Sequence, residues 1–170
     1  MAGWGTFNCA SGVYDLSHLD PFVMGVTPKA VGAPTFRVLV SFGHHAFTRE
    51  ILMGDAPDMH FAHNGDARCF CLLRHGHSQN LPNILRGASG RKAFFSQNHN
   101  YLLVEQIAGL AGPYAVFFNI QQATGKNIDA RLFVVSAYSK PNLPPRLPGV
   151  PFVALVANVS KGLPVTKPKK

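Results

Sequence analysis

The histidines are the residues of this 170-residue sequence best suited to chemistry. There are eight, and all but His18 lie between residues 44 and 99. Two close pairs are present, His44 with His45 and His75 with His77. Because imidazole titrates near about pH 6.5, two such rings can serve as base and acid in one turnover. The alternative for any one of these histidines is an ordinary surface or capping role.

Residues 74–78, with the sequence Arg-His-Gly-His-Ser, form the sharpest local motif. They follow an apolar stretch and precede a helical pattern, so Arg74 and the backbone amides of a helix start predict an anion site. The stretch resembles the Arg-His-Gly signature of the histidine phosphatase family. That resemblance implies that His75 is a phosphorylated nucleophile and that Arg74 binds phosphate. Phosphoryl transfer on a small molecule is therefore one alternative function.

A zinc site is a further alternative. His60, His63, Cys69 and Cys71 are ligands of the kind that hold tetrahedral zinc. The two cysteines equally suit a core, because alternate residues of a strand face one side. The sequence has no glycine-rich nucleotide motif and no His-Glu-x-x-His motif, and its few carboxylates argue against a two-metal nuclease. We therefore expect no cofactor.

RNA cleavage without a metal needs fewer groups. RNA carries its own nucleophile, the 2′-hydroxyl, so the protein must supply a base, an acid and cations. This chain has histidine, arginine, serine and tyrosine in quantity and is poor in carboxylates. Ser136 and Tyr138 are two residues apart in a strand-like run and so share one face. The alternative is that Tyr138 packs in the core and Ser136 bonds locally.

Positive charge is concentrated in one part of the sequence. The net charge is +8 and the pI is near 9.8. Residues 1–66 carry a net −3, whereas residues 67–170 carry +11. Such a field attracts polyanions, most often nucleic acid, although charge alone names no reaction. Five cations are candidates for substrate binding: Arg86, Arg91, Lys92, Lys126 and Arg131.

Hydrophobic patterning predicts the elements that must position these residues. Residues 1–34 form an irregular arm that can hold a short hairpin or turn, 35–140 a core domain, and 141–170 a proline-rich connector with an edge strand over 151–157 and a basic tail. Four consecutive strands with short turns indicate an antiparallel meander. The predicted fold is α+β, an antiparallel β-meander sheet with a short helix packed on one face. Strands are predicted over 36–42, 69–73, 93–96, 101–108, 114–122 and 131–139, a loop over 53–67 and a helix over 78–86.

The compartment is predicted from the cysteines and the first residues. Three cysteines, an odd number, do not make a disulfide framework and favour a reducing compartment. The first residues lack the basic start and apolar stretch of a secretory signal. No apolar run approaches the ~20 residues of a membrane span. We expect a cytoplasmic protein without a membrane partner.

A helix followed by an antiparallel meander, with a basic surface and scattered His, Arg and Tyr, resembles the ribonuclease-toxin fold group of barnase, RelE and colicin D. The resemblance spans residues 68–139 and implies a toxin-type endoribonuclease with RNA as substrate and an inhibitor or antitoxin protein as partner. The other alternative is a non-catalytic module that binds nucleic acid or protein through its basic half. In the favoured hypothesis no metal takes part, and the catalytic candidates are His44, His45, Arg74, His75, His77, Ser136 and Tyr138.

Overall fold

The computed structural model describes residues 3–96, 101–125 and 127–168. The predicted turn at 97–100 and Lys126 lie outside these ranges, as do Lys169 and Lys170 of the basic tail. In the described ranges no helix is long and apolar enough to cross a membrane. The strands are β1 (Thr6–Cys9), β2 (Gly12–Asp15), β3 (Phe22–Val26), β4 (Phe36–Phe42), β5 (Thr48–Arg49), β6 (His60–His63), β7 (Asp66–Phe70), β8 (Lys92–Phe95), β9 (Tyr101–Glu105), β10 (Tyr114–Gln122), β11 (Ala130–Ser139) and β12 (Gly149–Pro151). The helices are α1 (Leu72–Ser78), α2 (Leu81–Arg86) and α3 (Phe152–Ser160), and short 3₁₀ turns cover Ser17–Leu19, His44–Ala46, Pro57–Met59 and Ala88–Gly90.

The large sheet has the strand order β12-β8-β9-β10-β11-β4-β3. Strands β8 to β11 are consecutive antiparallel neighbours, which confirms the predicted meander. Strand β4 joins this meander parallel to β11, with Val38 opposite Ala130. Together with the short helices, this sheet confirms the α+β class.

The core lies on one face of the large sheet. Along β4 the side chains of Val38 and Val40 are buried, and their neighbours in sequence are more exposed. This period of two is what a strand with one covered face requires. Helix α3 packs on the covered face, where Phe152 meets Phe118 of β10 edge-on at 6.1 Å. Helix α2 contributes three buried side chains to the same core, Leu81, Ile84 and Leu85.

A second, three-stranded sheet has the order β5-β7-β6. Strands β6 and β7 form a hairpin whose turn residues, Asn64 and Gly65, have φ of 50° and 82°. Positive φ at both turn residues is typical of the tight turns that match strand twist, and Asn-Gly is the preferred pair. The prediction of an exposed loop over 53–67 is therefore wrong from His60 onward.

The first helix begins earlier than predicted. Leu72 and Leu73, for which the sequence predicts a strand, are the first residues of α1, and Ser78 ends this helix instead of capping the next. A short apolar run fits a strand or a helix equally, so periodicity does not separate them. The motif at 74–78 is therefore helical. Pro82 lies in the first turn of α2, where a missing N–H leaves no hydrogen bond unmade.

The two ends of the chain also differ from the predictions. Residues 152–160 form helix α3, not an edge strand; only β12 pairs there, with β8. The buried residues Phe152, Leu155 and Val156 follow helical spacing, although their β-branched neighbours favour a strand. The arm at the start of the chain holds a short hairpin, as the sequence allows, and in addition a strand that is not predicted. It contains the β1–β2 hairpin and β3, which pairs with β4 at the sheet edge.

Candidate active site

Two of the predicted histidines meet at one carboxylate. His44 and His45 lie in the 3₁₀ turn after β4, and Asp66 begins β7. Nε2 of His44 and Nε2 of His45 lie 3.0 and 2.6 Å from the same atom, Oδ2 of Asp66. These hydrogen bonds lower the pKa of Asp66, so the carboxylate stays ionised and can only accept. Each ring therefore donates through Nε2, and Nδ1 is the atom through which a neutral ring can accept a proton.

The turn that carries both histidines is fixed by its backbone. The Gly43 N–H donates to the carbonyl oxygen of Val134 at 2.8 Å. A Cβ at residue 43 would lie 3.0 Å from the Phe133 ring and 3.2 Å from the Val135 carbonyl oxygen, so the close approach to β11 requires glycine. On the other side, the Thr48 hydroxyl donates to the carbonyl oxygen of His44 at 2.8 Å. The turn is thus held between β11 and β5.

The two histidines differ in burial. The side chain of His44 is 13% exposed and that of His45 is 33% exposed. Burial lowers the pKa of His44, and this effect exceeds the opposing effect of the hydrogen bond to Asp66. Burial therefore favours the neutral form of His44.

Arg74 is attached to the same turn. Its Nη1 donates to the carbonyl oxygens of His45 and Thr48, at 3.1 and 2.7 Å. Its guanidinium carbon lies 5.1 Å from the centroid of the Tyr138 ring. Burial lowers the pKa of Arg74, and no carboxylate in the described part of the chain forms an ion pair with it. A half-buried cation without a carboxylate partner favours the binding of an anion.

Tyr138 belongs to a row of aromatic rings and cations that contact one another. Its ring stacks on Phe117 of β10 at 5.4 Å, and Nζ of Lys140 lies 5.4 Å from the centroid of Phe117. Ser136 is opposite Phe117 in the sheet and lies on the same face as Tyr138, as the sequence predicts. Arg74, Tyr138, Phe117 and Lys140 thus form a continuous surface, which we call the cation–aromatic strip.

The histidines of the second predicted pair are not bonded to Asp66 and contact other residues. His75 donates through Nε2 to the carbonyl oxygen of Asp15 at 2.9 Å, and its ring packs beside Tyr14. The His77 ring lies edge-on to Tyr114, with 6.0 Å between the centroids. Consecutive residues of a helix point in different directions, so Arg74 can face the turn while His75 does not. Contacts thus link the first histidine pair, Arg74 and Tyr138, and Ser136 lies on the same strand face as Tyr138.

The predicted substrate-binding cations are spread over separate elements. Arg86 ends α2 and rests 4.1 Å from the ring centroid of Phe22, and Arg91 is ion-paired with Glu105. A cavity opens beside His44, and none of the described members of this set lines its wall. Lys92 and Arg131 are exposed strand residues, and Lys126 lies outside the described ranges.

The predicted zinc ligands do not converge, so the zinc alternative at His60, His63, Cys69 and Cys71 is not supported. Burial raises the pKa of the Cys69 thiol, as is usual for a core cysteine. Among the residues that the structure describes, one group of three potential ligands comes close enough to share an ion. This group is His44, His45 and Asp66, with ligand atoms within 4.8 Å of one another. Two imidazoles and a carboxylate are a donor set that transition metals accept.

A cavity of about 680 Å³ opens beside His44 and Asp66. Its walls include the aromatic side chains of Trp4, Phe61 and Phe133. The Trp4 indole N–H donates to the carbonyl oxygen of Phe42 at 3.1 Å, which anchors the start of the chain to the end of β4. The volume lies within the range of about 300–1,000 Å³ that is usual for small-molecule sites. Polar groups are added by the β6–β7 hairpin and the end of β4, from His63, Asn64 and Ser41.

Asp66 and Trp4 were not predicted as site residues. The Asn64-Gly65 pair carries a hairpin signal that places Asp66 at the start of a strand, opposite His63. That signal was sufficient to pair Asp66 with His63, but not with His44. No local pattern identifies Trp4, because its contact with Phe42 joins residues 38 positions apart.

Comparison with known proteins assigns the chain to a family. Residues 6–160 match the model described as the YjaZ family. The matched region includes the histidine turn, Asp66, Arg74 and Tyr138. Comparisons with curated proteins and with solved structures give no match. Because the matched residues make up most of the sequence, the chain belongs to the YjaZ family.

Proposed function

We propose that this protein is a metal-independent endoribonuclease in which His44, His45 and Arg74 act on one phosphodiester. The observation that carries the proposal is the position of Arg74. This half-buried guanidinium has no carboxylate partner among the described residues and is hydrogen-bonded to the turn that bears both histidines. A cation in that position brings an anionic group to the two imidazoles.

The proposed reaction is an internal transesterification. The 2′-oxygen attacks phosphorus, and the bond from phosphorus to the 5′-oxygen breaks, which leaves a 2′,3′-cyclic phosphate and a free 5′-hydroxyl. His44, the more buried ring, takes the proton of the 2′-hydroxyl, and His45 gives a proton to the departing 5′-oxygen. Arg74 offsets the charge that develops on the non-bridging oxygens. Asp66 orients both rings through one of its two carboxylate oxygens, Oδ2.

The cation–aromatic strip supports single-stranded RNA as the substrate. Stacked rings can take unpaired bases, and the flanking cations can take phosphates, without reading sequence. Tyr138 and Arg74 belong both to the strip and to the surroundings of the histidine turn. An RNA strand lying on the strip would therefore pass the two imidazoles. Phosphoryl transfer is less favoured, because Nε2 of His75 is engaged by a backbone carbonyl.

We also propose a biological setting. The three cysteines are free thiols, which suits a reducing compartment such as the cytoplasm. An uncontrolled ribonuclease there damages its own cell, so the activity fits a toxin held by an inhibitor protein. An inhibitor that covers a surface of net positive charge would itself be acidic.

Cleavage of single-stranded RNA in excess EDTA tests the proposal. We expect products with 2′,3′-cyclic phosphate ends. The changes His44→Ala and His45→Ala should each lower kcat by about 10²–10⁴-fold, as removal of a general acid or base does. His60→Ala, at an exposed histidine of the same small sheet, is the matched control and should cleave normally. Absence of cleavage would refute the proposal, and cleavage only with added metal would shift the chemistry to an ion held by His44, His45 and Asp66.

Arg74→Lys tests the role of the guanidinium. Lysine keeps the charge but lacks the planar fork, in which Nη1 donates to both carbonyl oxygens and the other nitrogens remain as donors for a phosphate. We expect kcat/KM to fall at least about tenfold, whereas Arg37→Lys, at an exposed arginine on β4, should have little effect. Equal activities of the two variants would show that the Arg74 guanidinium has no part in the reaction.

A second candidate function is RNA binding without cleavage, and the cation–aromatic strip is the observation that favours it. In that case RNA would bind with a strong dependence on salt and would remain intact. The same assay separates the two functions, because a binder protects or retains the RNA and an endoribonuclease shortens it.

A further inference from the structure

Apart from His44 and Asp66, the residues that line the cavity beside His44 have no part in the proton transfers proposed above. It is bounded by the start of the chain, by Leu19 and Pro21 ahead of β3, by the end of β4, by the β6–β7 hairpin and by one residue of β11. We infer that this cavity binds the base of one nucleotide of the RNA, next to the phosphodiester that is cleaved. The inference takes its substrate class from the proposed function.

The aromatic walls suit a flat, polarisable group. Trp4 lies edge-on to Phe61 and His63, with centroid distances of 5.9 and 4.7 Å, so the indole is packed on the hairpin side. Phe133, another residue of the cavity wall, is 43% exposed, although it is a large apolar side chain. An exposed ring at the mouth of a cavity is available for stacking, and base–aromatic stacking tolerates any base.

The backbone keeps room for this ring. The edge of Phe133 lies against Gly43, where even a methyl group would approach it to 3.0 Å. A glycine at the end of β4 therefore lets the ring lie over the strand end beside the histidine turn. The stacking surface and the two imidazoles are thus placed by the same short segment.

Polar groups on the cavity wall match the edge of a base. The Asn64 amide offers a donor and an acceptor, and the Ser41 hydroxyl offers both. His44 and Asp66 line the cavity and also belong to the proposed catalytic group. A nucleotide whose base enters the cavity would thus have its phosphate close to His44.

The sequence provides its own reporter for this site. Trp4 is the single tryptophan of the chain, and it lines the cavity. We therefore propose a fluorescence titration of the full chain, in EDTA, with each of the four nucleoside 5′-monophosphates. We expect a saturable change in tryptophan emission, after correction with free tryptophan for absorption by the nucleotide. Ribose 5-phosphate, which has the phosphate but no base, should give no saturable change.

Variants identify the cavity as the source of the signal. Phe133→Ala should weaken nucleotide binding about tenfold through loss of stacking. Val23→Ala, at an exposed apolar residue of β3 that does not line the cavity, is the matched control. Asn64→Gly removes the amide but retains the positive φ of the turn, so it tests hydrogen bonding to the base without unfolding the hairpin.

Three results would overturn the inference: no saturable change with any nucleotide, an equal response to ribose 5-phosphate, or equal affinity in Phe133→Ala and Val23→Ala. The test is separate from that of the proposed function, since it needs no cleavage. Nucleotide binding in a protein that leaves RNA intact would keep the base site and refute the ribonuclease. RNA cleavage without nucleotide binding would refute the base site and keep the ribonuclease.

Discussion

Asp66 accepts hydrogen bonds from His44 and His45 through one oxygen atom, and this sharing fixes the orientation of both rings. The arrangement differs from a pair of histidines that face a substrate independently. Each ring has its Nε2 engaged with a carboxylate, which favours one tautomer and leaves Nδ1 for proton exchange. At the residue scale, therefore, the carboxylate that the sequence placed in a loop determines how the histidines can act.

His18 forms another contact that depends on protonation. Ser78 is buried and its hydroxyl donates to the carbonyl oxygen of His75 at 2.7 Å, so it accepts a hydrogen bond from Nε2 of His18, also at 2.7 Å. Burial lowers the pKa of His18, as does the nearby His75, and these effects exceed the opposite effect of Asp15 and Asp20. The folded protein therefore holds His18 neutral at a pH where the unfolded chain already takes up a proton.

We predict that this contact makes the protein less stable in mild acid. The contribution of His18 is fully present above its ordinary pKa of about 6.5 and is lost as pH falls through the lower pKa of the folded state. Urea unfolding at about pH 7.5 and about pH 5.5 measures the loss. His18→Gln keeps a donor but cannot titrate, so its stability should change less with pH than that of the parent or of His60→Gln. Equal pH dependence in all three proteins would contradict the prediction.

At the scale of elements, the histidine turn depends on how closely the end of β4 approaches β11. β4 pairs with β11 only as far as Phe42 and Val134, and beyond that point the 3₁₀ turn takes over the contact with β11. Gly43 is the residue at this transition, with carbonyl oxygens of β11 on one side. Backbone atoms cannot move aside as a flexible side chain can, so the site is sensitive to one methyl group.

We predict that Gly43→Ala displaces the turn. The added Cβ would meet the Phe133 ring and two backbone carbonyl oxygens at 3.0–3.3 Å. The free energy of unfolding should fall by about 1–3 kcal/mol, as for overpacking of a well-packed site, and RNA cleavage should fall with it. Gly90→Ala is the matched control, since a Cβ there meets nothing within 4 Å and its φ is not positive. Denaturant unfolding and the cleavage assay measure the two effects, and a fully active, stable Gly43→Ala protein would show that the approach to β11 is unimportant.

At the scale of the whole molecule, charge is distributed unevenly between an acidic first part and a basic remainder of the chain. Lys140 belongs to the basic part and to the cation–aromatic strip, whereas Lys29 is exposed on the connection between β3 and β4. A polyanion drawn to the molecule should therefore be sensitive to the first of these lysines and not to the second.

We predict that Lys140→Glu weakens binding of single-stranded RNA about tenfold and that Lys29→Glu does so much less. Loss of one phosphate contact should also reduce the slope of log affinity against log salt by about one unit. Binding is measured with the His45→Ala protein, so that the RNA stays intact. Similar losses in both charge reversals would indicate attraction by total charge instead of contact with the strip.

Local patterns were sufficient to predict the meander and the turns between its strands. Strand-like runs over β10 and β11, with short Gly- and Asn-containing turns between the strands, indicate antiparallel neighbours without knowledge of the rest of the chain. The boundary of α1 was not accessible in this way, because the apolar run over 69–73 has no period that distinguishes strand from helix. The same applies to residues 152–160, whose composition favours a strand and whose packing requires a helix.

The sequence by itself determined the types of group available: clustered imidazoles, an arginine next to them in the helix region, and an excess of positive charge. Only the tertiary structure decided which of them meet. Arg74 binds the His45 carbonyl across 29 residues, and Asp66 reaches His45 across 21. Such contacts are set by how two sheets and a helix pack, not by any pattern within one of them. The same sequence motif therefore placed Arg74 at the site and His75 away from it.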